Sequence, residues 1–172
     1  MIRGRPGSGK STALNLIEER LRSLGIRVSG IKTPEVRSGV KRVGFKVVDI
    51  STGKSALFAS IFITSKYRVG RYGVDLDSFE SIAIPALESG LREAEVLLID
   101  EIGKMELLSD RFVSIIDRVW SSDKVAVGTI PITKIYFIEK LVRRSKVFWI
   151  ERGRSREIAD KIVDMISSHL GI

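Results

Sequence analysis

Three glycines, a proline and a lysine fall within the eight residues Gly4-Arg5-Pro6-Gly7-Ser8-Gly9-Lys10-Ser11, and few folds accommodate such a segment. It matches G-x-x-x-x-G-K-S/T throughout. The pattern asks for a loop whose backbone N–H groups turn inward on an anion, and glycine supplies the backbone angles and the close approach. It also asks for a helix beginning at the lysine, so that N-terminal N–H groups and the helix dipole face the same anion. Residues 10–24 meet that demand: Leu14, Ile17, Leu21 and Leu24 recur at helical spacing, and Gly25 is a natural stop. Lys10 is then expected to reach the β- and γ-phosphates of a nucleotide and Ser11 to ligate Mg²⁺, with Thr12 closing the nucleotide-binding stretch. The alternative is a glycine-rich turn standing before a helix by chance, and the amphipathic helix at Lys10 argues against it.

The rest of the chain alternates strand and helix patterns. Residues 26–32 read as a strand. Residues 43–50 and 54–59 flank the turn signal "STG" and read as an antiparallel hairpin. A helix is predicted over 77–94, with Asp77 as N-cap, Glu80 as its capping-box partner and a kink at Pro85. Residues 96–100 form a continuous apolar run, as in a strand buried on both faces. A helix over 109–121 capped by Ser109, buried strands over 124–129 and 146–150, and a last helix over 155–170 follow. The expected fold class is therefore α/β, a three-layer sandwich with a mostly parallel sheet and an antiparallel hairpin at its edge, in a single domain over 1–172. Ligands in such sheets bind at the carboxyl ends of the strands.

Three further stretches carry candidate chemistry. In "VLLIDEIGKMEL" (96–107) a buried strand ends in Asp100-Glu101. In this loop class the strand-end aspartate holds Mg²⁺, usually through water, and a carboxylate one residue on can deprotonate a water. On its own, such a pair would more simply solvate a strand end; after a complete phosphate loop the catalytic reading is the better one. In "KYRVGRYGVD" (66–75), Arg68 or Arg71 can serve as an internal arginine finger on the γ-phosphate, but by composition alone a solvated basic loop is the better reading. The basic segment 134–146 is either a lid over phosphates or a helix with a solvated face.

Composition narrows the classes. The chain has no cysteine and one histidine, His169, so disulfides, thiolate chemistry and histidine-based metal clusters or triads are excluded. No apolar run approaches a membrane span and no secretory signal is visible, so a cytoplasmic location follows by default. A net charge of +8 favours polyanionic partners, although a basic pI also serves solubility. Absent cysteine, abundant Lys, Arg and Glu, and few prolines suit a thermophile.

The stretches "DEIGKMEL", "RVGRYGVDLDSFE", "TPEVRSGVKRVGFKVVDISTG" (33–53) and "VGTIP" (127–131), together with the phosphate loop, resemble the nucleoside-triphosphatase family of thermophilic bacteria and archaea, which includes the human cancer-related nucleoside-triphosphatase. The resemblance runs in order over nearly the whole chain. It implies a P-loop α/β core of the RecA-like or P-loop-kinase-like kind. It also implies slow Mg²⁺-dependent hydrolysis of ATP, GTP and other nucleoside triphosphates to diphosphate and phosphate, with broad base selectivity. By position, Gly4, Arg5, Pro6, Gly7, Ser8, Gly9, Lys10 and Ser11 would bind phosphates. Val96, Leu97, Leu98, Ile99, Asp100, Glu101, Ile102 and Gly103 would form a second nucleotide-binding segment. Glu101 would be the base, and Arg68, Arg71, Glu35 and Lys104 would lie near the site.

Two departures stand out. Relatives carry an Asn-Arg pair after the last strand, where this chain has Arg154-Ser155, leaving Arg154 or Arg156 to stack on a base. Relatives also carry a full apolar strand before the loop, where this chain has Met1-Ile2-Arg3; a shortened first strand is expected to weaken the central sheet. Two other classes remain open: a small-molecule or polynucleotide kinase of the same fold, for which no acceptor site is visible, and a nucleic-acid-binding ATPase, suggested by the charge and ranked last.

Overall fold

The structure, a computed structural model, describes all 172 residues. The elements in chain order are β1 (Ile2–Arg3), α1 (Lys10–Ser23), β2 (Val28–Lys32), β3 (Glu35–Ser38), β4 (Lys41–Asp49), β5 (Ser55–Ser60), β6 (Arg68–Val69), β7 (Tyr72–Val74), α2 (Leu76–Glu93), β8 (Val96–Asp100), a 3-10 turn (Glu106–Leu108), α3 (Asp110–Ser121), β9 (Val125–Ile130), α4 (Tyr136–Val142), β10 (Phe148–Trp149) and α5 (Ser155–Leu170). They form one sheet in the order β10-β1-β9-β8-β2-β4-β5-β7-β6, with β3 paired to β4. The first five strands of that order are parallel and the remainder antiparallel. This is the α/β P-loop fold that the alternation of patterns implied. No helix is long and apolar enough to cross a membrane.

The parallel half is buried on both faces, which is why its strands read as apolar runs. α1 and α5 cover one face, where Leu14, Ile17, Leu21, Ile158 and Ile162 belong to a core of 16 buried residues. α2 and α3 cover the other, where Phe79, Leu87, Phe112 and Ile116 belong to a core of 22. β8 stands between them and alternates: Val96 and Leu98 enter the first core, Leu97 and Ile99 the second.

The antiparallel half is larger than a hairpin. β2 and β3 run on as one bent strand along β4, from Ile31 beside Asp49 to Ser38 beside Lys41. β8 stops at Asp100, opposite Lys32. Everything in β4 before Val48 therefore extends past the carboxyl ends of the parallel strands, a projection of about 20 Å at the usual strand rise. β5, β7 and β6 complete this flap.

Several local expectations change. Asp75, not Asp77, caps α2: its carboxylate accepts the Ser78 N–H at 3.1 Å, because Asp75 N–H is itself fixed to Phe58 O at 2.7 Å. Glu80 is not a capping-box partner but accepts from Ser109 Oγ at 2.6 Å and from Arg111 at 3.1 Å, joining α2 to α3. α2 continues through Pro85. The strand expected over 146–150 is only Phe148–Trp149, and it lies at the sheet edge with Trp149 62% exposed rather than buried. The basic segment 134–146 holds a short helix, α4, docked by buried Ile138 and Leu141 and by an ion pair from Arg3 to Glu139. β1 has two residues, seated between β10 and β9. Beneath it, towards the amino ends of the strands, lies a cavity of about 570 Å³ lined by Met1, Val125, Ala126, Val127, Lys146 and Phe148 among others.

Candidate active site

The loop from Gly4 to Ser11 leaves the carboxyl end of β1 and enters α1. Gly9, the N-cap, has φ 98° and Gly7 has φ 73°, a left-handed region costly for other residues. A β-carbon on Gly4 would run into Ser8 Oγ and the Ile150 side chain, and one on Gly9 into Ser155 Oγ. Lys10 Nζ donates to the carbonyls of Gly4 at 3.0 Å and Arg5 at 3.1 Å, arching over the loop. Neither a capping side chain nor an acidic residue occupies the first turn of α1, so its N–H groups stay available to an anion. Ser8 Oγ is buried within the loop with no hydrogen-bond partner. Such an orphaned polar atom fits a loop built to take phosphate oxygens.

β8 delivers two carboxylates beside this loop. Asp100 is anchored twice: Thr33 Oγ1 donates to its carbonyl at 2.8 Å and Thr129 Oγ1 to Oδ1 at 2.5 Å. The next residues are pinned as well, with Ile102 N–H on Thr129 O at 2.9 Å and Gly103 N–H on Glu106 Oε2 at 3.1 Å. Burial pushes the Glu101 carboxyl above its ordinary range, the Lys10 ammonium pulls it back, and Asp100 adds to the rise. Burial, and then Glu101, raises Glu106 to about 8.

The donor set suits a hard divalent cation. Ser11 Oγ and the Asp100 carboxylate are oxygen donors, and no group of three or more His, Cys, Asp or Glu gathers anywhere in the chain. Mg²⁺ characteristically takes one or two protein oxygens and completes its shell with substrate phosphate and water. Ser11 and Asp100 fit that habit.

The other expected residues lie further out. Glu35 opens the flap and pairs with Arg42 at 2.8 Å and Arg37 at 2.7 Å. Arg68 donates to Arg71 O at 3.1 Å, and Arg71 donates to Arg42 O at 2.8 Å and Tyr72 Oη at 3.1 Å. All these bonds stay within the flap, and none joins Arg68 or Arg71 to Lys10, Asp100 or Glu101. Lys104 is exposed in the turn after Gly103. Arg154 forms a two-pronged pair with Glu157, at 2.8 and 2.7 Å, and Arg156 is exposed. Beside them Ser155 Oγ donates to Gly9 O at 3.1 Å, tying the start of α5 to the phosphate loop.

Sequence reasoning overlooked Thr33, Thr129, Ser155 and Glu106. Of these, Thr129 alone had a local signal, as the one hydroxyl-bearing residue within the apolar run 125–130.

A family model described as "NTPase" matches residues 1–163. The chain is 49% identical to the nucleoside-triphosphatase THEP1 of Korarchaeum cryptofilum, over 100% of this chain and 88% of that protein. It is 38% identical to the protein of the same name from Methanothermobacter thermautotrophicus, over 100% and 98%. Among solved structures, THEP1 from the hyperthermophile Aquifex aeolicus superposes with a TM-score of 0.81 at 37% identity, covering 96% of each chain. A human cancer-related nucleoside triphosphatase superposes with a TM-score of 0.80 at 34% identity, covering 97% of this chain and 96% of that one.

Proposed function

Since this chain belongs to the nucleoside-triphosphatase family, we propose that it hydrolyses nucleoside triphosphates to diphosphate and phosphate, slowly, with Mg²⁺ and with little choice of base. The observation that carries the proposal is the phosphate loop itself, with the Lys10 ammonium arched over it onto the Gly4 and Arg5 carbonyls and Ser8 Oγ buried without a partner, beside the strand that ends in Asp100-Glu101.

The β- and γ-phosphates sit in the loop, met by the first N–H groups of α1, Ser8 Oγ and the Lys10 ammonium. Ser11 and Asp100 would hold Mg²⁺, which when bound would supply positive charge against the phosphate oxygens. Water attacks the γ-phosphorus as Glu101 takes its proton; the bond from γ-phosphorus to the bridging oxygen breaks, and the diphosphate leaves with that electron pair. A carboxylate lifted by burial is a stronger base, and the neighbouring lysine favours its ionised form. Lys10 then meets charge that grows on the phosphoryl oxygens. Arg68 supplies a second cation when the flap closes over the carboxyl ends of the strands.

Permissive base choice follows from residues 151–156, the loop before α5 and its first turn. They offer exposed Arg152, Arg154 and Arg156, and guanidinium planes stack on any base. Strict selection needs a site that hydrogen-bonds one base edge.

The test is phosphate release from ATP, GTP, CTP and UTP, with and without candidate phosphoryl acceptors, by the parent and by Glu101→Gln. Acceptor-independent release, within about one order of magnitude across the bases and lost by about 10²- to 10⁴-fold in the variant, is expected. Release that requires an acceptor makes the protein a kinase, and a Glu101→Gln variant at parental rate removes Glu101 from the chemistry.

A further inference from the structure

Glu106 opens the 3-10 turn that follows β8, and its side chain points inward, 6% exposed. A carboxyl in that setting is destabilising unless it is bonded. Its bond is to Gly103 N–H, at 3.1 Å and out of solvent. Gly103 is also where the two glutamates meet. A β-carbon there would stand 3.0 Å from Glu101 Oε1 and 3.1 Å from Glu106 Oε2, so these oxygens lie within about 6 Å of one another, near enough for each to bias the other.

We propose that Glu106 is a positioning residue for hydrolysis: by holding Gly103 N–H it fixes the turn 101–103 and aims the Glu101 carboxylate at the attacking water. The role rests on Glu101 being the base. The flanks of Glu101 are otherwise secured: Asp100 by Thr33 and Thr129, Ile102 by Thr129 O and by full burial. Gly103 is the remaining joint, and its C=O in turn accepts Leu107 N–H at 3.0 Å, closing the turn around Glu106. Remove the acceptor and a buried N–H is left unpaired; the turn shifts to find water, carrying Glu101 with it. Gly103 has no side chain because both carboxyls occupy that space. The acceptor needs an oxygen rather than a charge, since burial favours the neutral acid, so glutamine is a faithful replacement and methionine, similar in volume, is not.

The experiment compares kcat and KM for ATP, Kd for ADP and thermal midpoint across the parent, Glu106→Met, Glu106→Gln, Gly103→Ala and Glu101→Gln. Glu106→Met is expected to lose about 10- to 100-fold in kcat, the scale of a base displaced by about an ångström, with Kd for ADP within about twofold, because ground-state binding does not use Glu101. Glu106→Gln is expected within about threefold of the parent, the amide oxygen still accepting from Gly103. Gly103→Ala, whose φ suits alanine and whose methyl pushes at both carboxyls, is expected to lose kcat as the methionine variant does. A parental kcat in Glu106→Met while Glu101→Gln is inactive overturns the positioning role and leaves the base intact. So does a Glu106→Gln variant as slow as Glu106→Met. If Glu106→Met does not fold, Gly103→Ala decides, and its parental kcat overturns the role. Parental turnover in Glu101→Gln removes the base and this role together.

Discussion

Thr129 and Asp100 face each other across adjacent strands, and the Thr129 hydroxyl donates to Asp100 Oδ1 at 2.5 Å inside the protein. One carboxylate oxygen is thereby taken, and its partner is left for a cation or its water. Thr129→Val keeps the shape and removes the donor. The Mg²⁺ concentration for half-maximal turnover should rise about 10- to 100-fold, the scale for losing an outer-shell partner, with kcat at saturating Mg²⁺ close to parental. An unchanged Mg²⁺ dependence would show that Asp100 orients itself.

Lys10 already bends over the loop to two carbonyls, and the proposed mechanism has its ammonium meet the phosphate oxygens there. Lys10→Ala should therefore abolish turnover, because the developing charge loses its cation. Steady-state phosphate release checks this, and near-parental turnover would move the active site elsewhere.

Arg68 and Arg71 sit at the outer edge of the flap, bonded only within it. If the flap bends over the nucleotide, Arg68→Ala should lower kcat with little change in nucleotide Kd, since the contact strengthens only in the transition state. Arg71→Ala, which also loosens Tyr72 and Arg42, should act mainly on stability. Should Arg68→Ala turn over like the parent, the flap is a solvated basic surface.

Two buried groups give stability opposing dependences on pH. The Met1 amine, lowered by burial to about 6, sheds its proton on folding, so the unfolded chain binds more protons between pH 6 and 8 and stability rises with pH there. Glu106, raised to about 8, keeps its proton on folding, so stability is full below its ordinary pKa of 4.5 and is lost as pH climbs to 8. Glu106→Gln removes this falling contribution, so from pH 6 to 8 its stability should change more favourably with pH than the parent's. Urea unfolding at pH 6 and 8 measures both, and equal slopes in parent and variant would refute the assignment.

Ile2 pairs with Thr129 and Phe148, so a residue joined before Met1 would come level with Val127, and the next two with Ala126 and Val125. These residues line the cavity beneath β1. Appending Val-Ile-Val should raise the thermal midpoint, by about 2–4 °C for each kcal/mol gained, whereas Gly-Ser-Gly should not. Equal midpoints for the two extensions would mean the added strand does not enter the sheet.

The parallel half of the fold was legible because each element there carries its own pattern: an apolar run in 96–100, a helical stripe in 109–121, a glycine loop ending in a helix. The flap was not. β6 and β7 have two and three residues, too short for alternation, and they exist only through partners distant in sequence. The Asp77–Glu80 spacing spells a capping box, yet tertiary pairing of Asp75 with Phe58 starts the helix earlier. Within the site, the phosphate loop and Asp100-Glu101 could be read because their spacing is local. Glu106 looked like an ordinary polar residue near a helix start, since nothing nearby in sequence reports that a carboxyl faces inward.

β8 is the wall between two cores, lending alternate side chains to each. Its amides can be freed only when both cores open, whereas the flap, joined to the body along β2, can fray without either. In hydrogen exchange, the backbone of 96–100 should be among the slowest to take up deuterium and β6–β7 among the fastest. Heat would then strip away the surroundings of the active site well before it dislodged the strand that carries Asp100.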